Sequence, residues 1–313
     1  MVFRILSIDG GGIRAIIPAR ILQRITAQCP DFLSAVDLFS GTSSGSIIAL
    51  ALAAKLSPDQ LLEFFRIDGP RVFENNLVDR ASSGFGMFAA KYRTSDLRAA
   101  LSNHLGNTRL SDLSKQVFIP AFELDSMNDK TDRSMRMWKA KFFHNLKPVP
   151  PEQDVSLVDL ATRSSSAPTY FPIYQGFVDG GMVANNPTMC AVAQALNQSI
   201  TSSALSDIAV LSLGTGIKAE FEPSMDGDWG LLQWGFKILH MLMEGSVGLV
   251  DYQCRQLLGD AYARVNLNLQ DVIDLDDVSK LDQMTEMADS FDLAQTLSWI
   301  EKYWFGTEAR MPR

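Results

Sequence analysis

Between residues 36 and 55 the chain passes from a short apolar run, Val36–Ser40, through Gly41-Thr42-Ser43-Ser44-Gly45 into a stretch of helical period, Ser44–Lys55. No other part of the sequence restricts the fold as strongly. A G-x-S-x-G placed where a strand turns into a helix demands a turn too tight for side chains at its glycines, and it lifts the serine above the edge of a sheet. The same alternation recurs along the chain. Phe3–Ile8 reads as a strand that stops at Gly10, Gly11 and Gly12, and Ile13 to Gln28 follows as a helix with Ile17, Ile21 and Ile25 on one face. Ser57-Pro58 opens a further helix with proline in its first turn. Val117–Leu124, Phe177 with its neighbours, and Ile208–Leu213 are further strands. Strands alternating with helices predict crossover connections, hence an α/β fold of three layers with a mostly parallel central sheet covered on both faces.

At 313 residues the length allows one large domain or two. No linker divides the chain, so one domain over 1–313 is expected, with the motifs in about 3–216 and a helical part over about 217–313. Asp68–Arg93, less regular, reads as a long loop or mobile cap. Lys147–Asp154 reads as a proline-rich surface connection.

Three glycine-rich turns could carry chemistry. In the first, spacing selects Ser43 as a nucleophile, with the dipole of the following helix favouring developing negative charge; a serine-rich helix cap is the alternative. The second, Asp9-Gly10-Gly11-Gly12-Ile13-Arg14, lets backbone N–H groups converge on an anion. A nucleotide loop fits poorly, because Ala15 stands where G-x-G-x-x-G needs its last glycine and no Gly-Lys-Ser/Thr follows. An oxyanion hole or a plain tight turn remain. The third, Val178-Asp179-Gly180-Gly181, precedes Asn185-Asn186-Pro187; Asp179 either takes the serine proton as a base or closes an Asx turn.

Taken together and in order, the three turns make the chain resemble the patatin-like phospholipases. ILSIDGGGIR resembles that family's first strand and oxyanion loop, GTSSG its elbow and VDGG its aspartate turn; SSSAPTYFP at Ser164–Pro172 and LSLGTG at Leu211–Gly216 also match, and QLLGDAYARVNLNL does so more loosely. The resemblance implies lipid acyl-hydrolysis of the phospholipase A type by a Ser43–Asp179 dyad, with Gly10, Gly11 and Gly12 supplying amides to the oxyanion and Arg14 positioning their loop; a plain surface arginine is the alternative for Arg14. It implies no metal or cofactor. Ala15 and Ser46 replace glycines usual in the family and are expected to narrow the cleft slightly without abolishing activity.

Two other readings stand beside this one. Ser43, Asp179 and His240 follow the order of a Ser-Asp-His esterase triad, although His240 lies in an apolar helical stretch. His104 reads as the tail of a helix, complementing its dipole, and His144 sits in a basic-aromatic stretch, Lys139–Lys147, read as a solvated edge. The second is a non-catalytic lipid-binding protein of the same fold, against which the retained Ser43 and Asp179 argue.

Composition narrows the partners. A net charge of −8 disfavours nucleic acid and anionic surfaces as electrostatic partners. Cys29, Cys190 and Cys254 form no pair or cluster, which suits a reducing, cytoplasmic setting. The acidic run Asp271–Asp277 lacks calcium-loop spacing and reads as a solvated loop. Contact with a membrane interface is expected at Phe85 and Phe88 in the Gly84–Phe88 lip or along Trp229–Met243, where a core helix or an inter-subunit contact is the alternative. A homodimer and a nucleotide second-messenger activator, the latter suggested by bacterial members, are the remaining partners considered.

Overall fold

The computed structural model describes residues 2–73, 89–126, 136–147, 154–197, 203–217, 228–230, 234–235, 237–269 and 271–306, without the side chains of 239 and 240. The Gly84–Phe88 lip therefore lies outside the described residues.

The sheet is built first from β1 (Phe3–Ile8), β2 (Leu38–Gly41), β3 (Gln116–Glu123) and β4 (Lys139–His144). It is completed by β5 (Phe177–Asp179), β6 (Ile208–Leu213) and β7 (Tyr262–Val265). Strand order is β4-β3-β2-β1-β6-β7, with β5 on β3. Every pairing from β3 through β2, β1 and β6 to β7 is parallel, and β4 and β5 run antiparallel to β3. β6 is buried at all six residues, as a central strand covered on both faces must be.

Side-chain alternation splits the core into two layers. Leu6, Ile8 and Phe39 face α1 (Ile16–Gln28) and α2 (Ser44–Ala53). Ile5, Leu38, Phe118 and Val210 face Ala191 and Val192 of α8 (Thr188–Ala195) and Cys254 of α9 (Lys237–Leu258). α2 is buried along its whole length, which explains a helix with almost no polar face. Ser57 caps α3 (Pro58–Glu63) in a reciprocal capping box with Gln60. The chain continues through a π-helical turn, Phe64–Asp68, into α4 (Gly69–Val72), so the irregular region begins helical.

Lys139–Lys147 is mostly β4, an edge strand as its solvated lysines suggest, with Phe143 turned into the core and Phe142 exposed. One reading needs correction. The 271–277 run is solvated only in part: Asp271, Val272 and Asp274 are exposed, but Ile273 is buried in the core and the Asp276 side chain is almost covered. The expected helix at Ile13 starts as a 3-10 turn, Gly12–Ala15, before α1. Among the described residues no helix is long and apolar enough to cross a membrane.

Candidate active site

The elbow forms because β2 and β1 are parallel neighbours and α2 must start immediately above them. A Cβ on Gly41 would lie 2.1 Å from the Gly45 carbonyl oxygen, and one on Gly45 would lie 2.4 Å from that of Ile8. Neither glycine can carry a side chain. Ser43 itself sits at φ 54°, ψ −128°, a conformation costly for a non-glycine residue and maintained by its surroundings. Its amide donates to Ser164 Oγ at 3.0 Å, Ser164 Oγ donates to the Pro120 carbonyl at 2.7 Å, and Ser46 Oγ donates to the Ser43 carbonyl at 2.6 Å.

Ser43 Oγ donates to Asp179 Oδ2 at 2.6 Å. The topology supplies the partner: β5 runs antiparallel along the far end of β3, pairing Asp179 with Ala121, beyond the part of β3 that pairs with β2. The other carboxylate oxygen accepts from the Gly181 amide at 2.7 Å. Asp179 is 2% exposed. Burial pushes its carboxyl up to about 6, outweighing the opposing effect of the hydrogen bonds from Ser43 and Gly181.

The glycine loop is held from several sides. Asp9, at its start, pairs with buried Arg264 of β7, whose two nitrogens reach its oxygens at 2.9 and 2.5 Å. Thr215 Oγ1 donates to the Gly10 carbonyl at 2.9 Å. The Gly10 amide donates to the Asn185 carbonyl at 3.0 Å, a backbone partner within the fold. The Gly11 amide meets Ser44 Oγ at 3.2 Å, and the Gly12 amide has no protein acceptor among the described residues. Arg14 is 9% exposed, not a surface arginine, and its Nη2 lies 3.9 Å from Glu244 Oε1 on α9. Ala15 and Ser46 are fully buried and absent from the cleft lining, so neither narrows it.

Ser43 and Asp179 open onto a cleft. Phe64, Phe65, Val72, Phe73, Phe171 and Met243 supply apolar walls, while Arg14 and Glu244 add charge. Its lining suits an apolar chain ending at a few polar groups. Among the described residues no group of three or more His, Cys, Asp or Glu side chains could hold a metal ion.

His104 and His144 stand apart from this arrangement. His104 ends α5 (Thr94–Leu105) and its Nε2 lies 2.8 Å from Asp68 Oδ2, a partner its place in the helix tail did not suggest. The His144 ring stacks on Phe118 in the sheet edge. His240 lies in α9, and its side chain is outside the described residues. Ser44, Ser164, Asn185, Thr215 and Arg264 were not singled out from sequence, although all five lie in or beside segments that carry the resemblance.

The family model described as patatin-like phospholipase matches residues 6–192. The CotR protein of Bacillus subtilis (strain 168) is 30% identical, over 96% of this chain and 98% of its own length. A cGAMP-activated phospholipase of Pseudomonas aeruginosa is 27% identical, over 84% of this chain and 78% of that protein. Among solved structures, VipD from Legionella pneumophila aligns over 92% of this chain and 67% of its own with a TM-score of 0.43 and 12% identity. The family model alone spans more than half of the sequence, and the chain belongs to the patatin-like phospholipase family.

Proposed function

We propose that the protein is a phospholipase A-type lipid acyl-hydrolase that cleaves fatty-acyl esters of membrane phospholipids, with Ser43 as nucleophile and Asp179 as base. The observation that carries this reading is the direct 2.6 Å contact between Ser43 Oγ and Asp179 Oδ2 at the floor of an apolar cleft. As Ser43 Oγ attacks the ester carbonyl, Asp179 takes its proton, and the carbonyl oxygen gains the negative charge. The Gly12 amide, the Gly11 amide once it exchanges the rotatable Ser44 hydroxyl for the oxyanion, and the N-terminus of α2 are the groups that would stabilise that charge. Asp179 then returns the proton to the departing lysolipid alkoxide, leaving the fatty acyl group on Ser43. Water, deprotonated by the same carboxylate, releases the fatty acid and restores both side chains.

Because Ser43 and Asp179 are in direct contact, no imidazole stands between them, and the reading does not call on His240. The reading needs no cofactor, and it treats 1–313 as one domain, since α9 and α10 (Leu281–Ser290) pack on the elements that carry the site. Peripheral membrane contact is assigned to the start of α9, where Ile238, Met241 and Leu242 are exposed beside Met243 of the cleft wall. The Pseudomonas relative is named as a cGAMP-activated phospholipase, in line with a nucleotide activator; activity of the chain alone is the simplest form of the reading. Mass spectrometry of products from a defined phospholipid tests it. Free fatty acid and lysophospholipid from the wild type, and neither from Ser43→Ala, are expected; equal products from both would overturn it.

A further inference from the structure

The segment around Leu275 crosses over the glycine loop and is fastened on its far side. The Leu275 carbonyl accepts from the Ile13 amide at 2.8 Å. A Cβ on Gly12 would lie 2.1 Å from that carbonyl oxygen, so the two backbones are in van der Waals contact, and Gly12 at φ +58° could carry no side chain. Leu275 also lines the cleft. The next residue, Asp276, has a side chain 8% exposed, and its Oδ2 accepts from both Lys91 Nζ and Tyr92 Oη. Lys91 and Tyr92 in turn donate their amides to the carbonyls of Thr169 and Tyr170 at 2.9 and 2.8 Å, and Tyr170 and Phe171 form the cleft wall. Asp276 thus joins three separate parts of the chain: the crossing segment, the 91–92 strip and the wall. The loop on which they converge holds the amides of Gly11 and Gly12.

We infer that Asp276 is a positioning residue for the reaction at Ser43: by anchoring to Lys91 and Tyr92 it presses Leu275 onto Gly12 and fixes the direction in which the Gly11 and Gly12 amides point. The inference rests on the reading of Ser43 as nucleophile. Its chemical logic is that an oxyanion donor acts only when aimed at the oxygen in advance, and a donor displaced by about 1 Å can cost ~10²-fold in rate.

The test compares the wild type with Asp276→Ala, Asp276→Asn and Tyr92→Phe on a soluble short-chain p-nitrophenyl ester, with exposed Asp271→Ala as a control. Three quantities are measured well below each melting temperature: kcat and KM, the rate at which a fluorophosphonate modifies Ser43, and inhibition by a trifluoromethyl ketone, whose hemiketal oxyanion needs the same amides. Asp276→Ala is expected to lower kcat and labelling by ~10–100-fold with KM within about twofold, and to weaken the ketone by a similar factor. Asp276→Asn and Tyr92→Phe, which each keep part of the anchor, should fall between, and Asp271→Ala should match the wild type. Folded Asp276 variants with undiminished kcat and labelling, or with raised KM alone, would overturn the inference while leaving Ser43 in place. Failure to label the wild type at Ser43 would overturn the proposed function and this inference with it.

Discussion

Ser43 Oγ and Asp179 Oδ2 are 2.6 Å apart and 136 residues distant in sequence, with nothing between them. In the proposed reaction a serine this close to a buried carboxylate hands over its proton directly.

Replacing the base separates the dyad from a triad. Asp179→Asn keeps one acceptor, for the Gly181 amide, and turns an NH2 donor toward Ser43; it cannot take a proton, so kcat/KM on a soluble ester should fall by on the order of 10³-fold or more. His240→Gln should stay within a few-fold. A folded His240→Gln protein without activity would sink the assignment.

The acidity of Asp179 sets the pH profile. With its carboxyl raised to about 6, kcat/KM should be flat above neutrality and fall as pH drops through about 6. A histidine base would give a limb near ~6.5, too close to distinguish, so only the variants decide. A limb below pH 5 would contradict the burial effect.

The same shift makes Asp179 a stability liability. The folded state holds its proton at higher pH than the unfolded chain, so stability is lost as pH rises from about 4 to about 6. A rise from 3.8 to about 6 corresponds to about 3 kcal/mol at neutral pH. Asp179→Asn should therefore melt higher than the wild type at pH 7.5, with the gap closing near pH 4; equal melting at both values would show that burial of the charge costs nothing.

Strain at the nucleophile predicts an order among inactive variants. Ser43→Gly relieves the φ of 54°, whereas Ser43→Ala retains it. The glycine variant should be the more stable by about 1 kcal/mol in denaturant melts, and the reverse order would argue against strain at the elbow.

Membrane contact has its own signature. Ile238→Glu and Leu242→Glu, at exposed positions of α9, should lower activity on phospholipid vesicles at least tenfold more than on a soluble ester. Equal losses on both substrates, measured in parallel, would point to packing instead.

Much of this was legible along the chain. The apolar run Ile208–Leu213 marks β6 to the residue, and the glycines at 10–12, 41, 45 and 180–181 mark the turns. Glycine requirements and apolar periods are local, set by backbone geometry and by which face is covered, so the sequence displays them directly. Ser43 and Asp179 were both visible as candidates for that reason, as was the α/β alternation. Other features required the folded chain. β5 pairing with β3 brings Asp179 to Ser43, β7 brings Arg264 to Asp9, and the crossing segment brings Leu275 onto Gly12. Gly10 shows the difference most plainly: its sequence marks it as an oxyanion donor, and the fold gives its amide the Asn185 carbonyl as a partner. The acidic run at 271–277 reads as solvated because charge repetition usually faces water, yet Lys91 and Tyr92 turn Asp276 inward. Which turns exist is decided by local steric limits, and the sequence alone determines it. Which groups those turns meet is decided by strand pairing across tens to hundreds of residues, because no local pattern encodes the partner of a distant hydrogen bond, and only the tertiary structure supplies it.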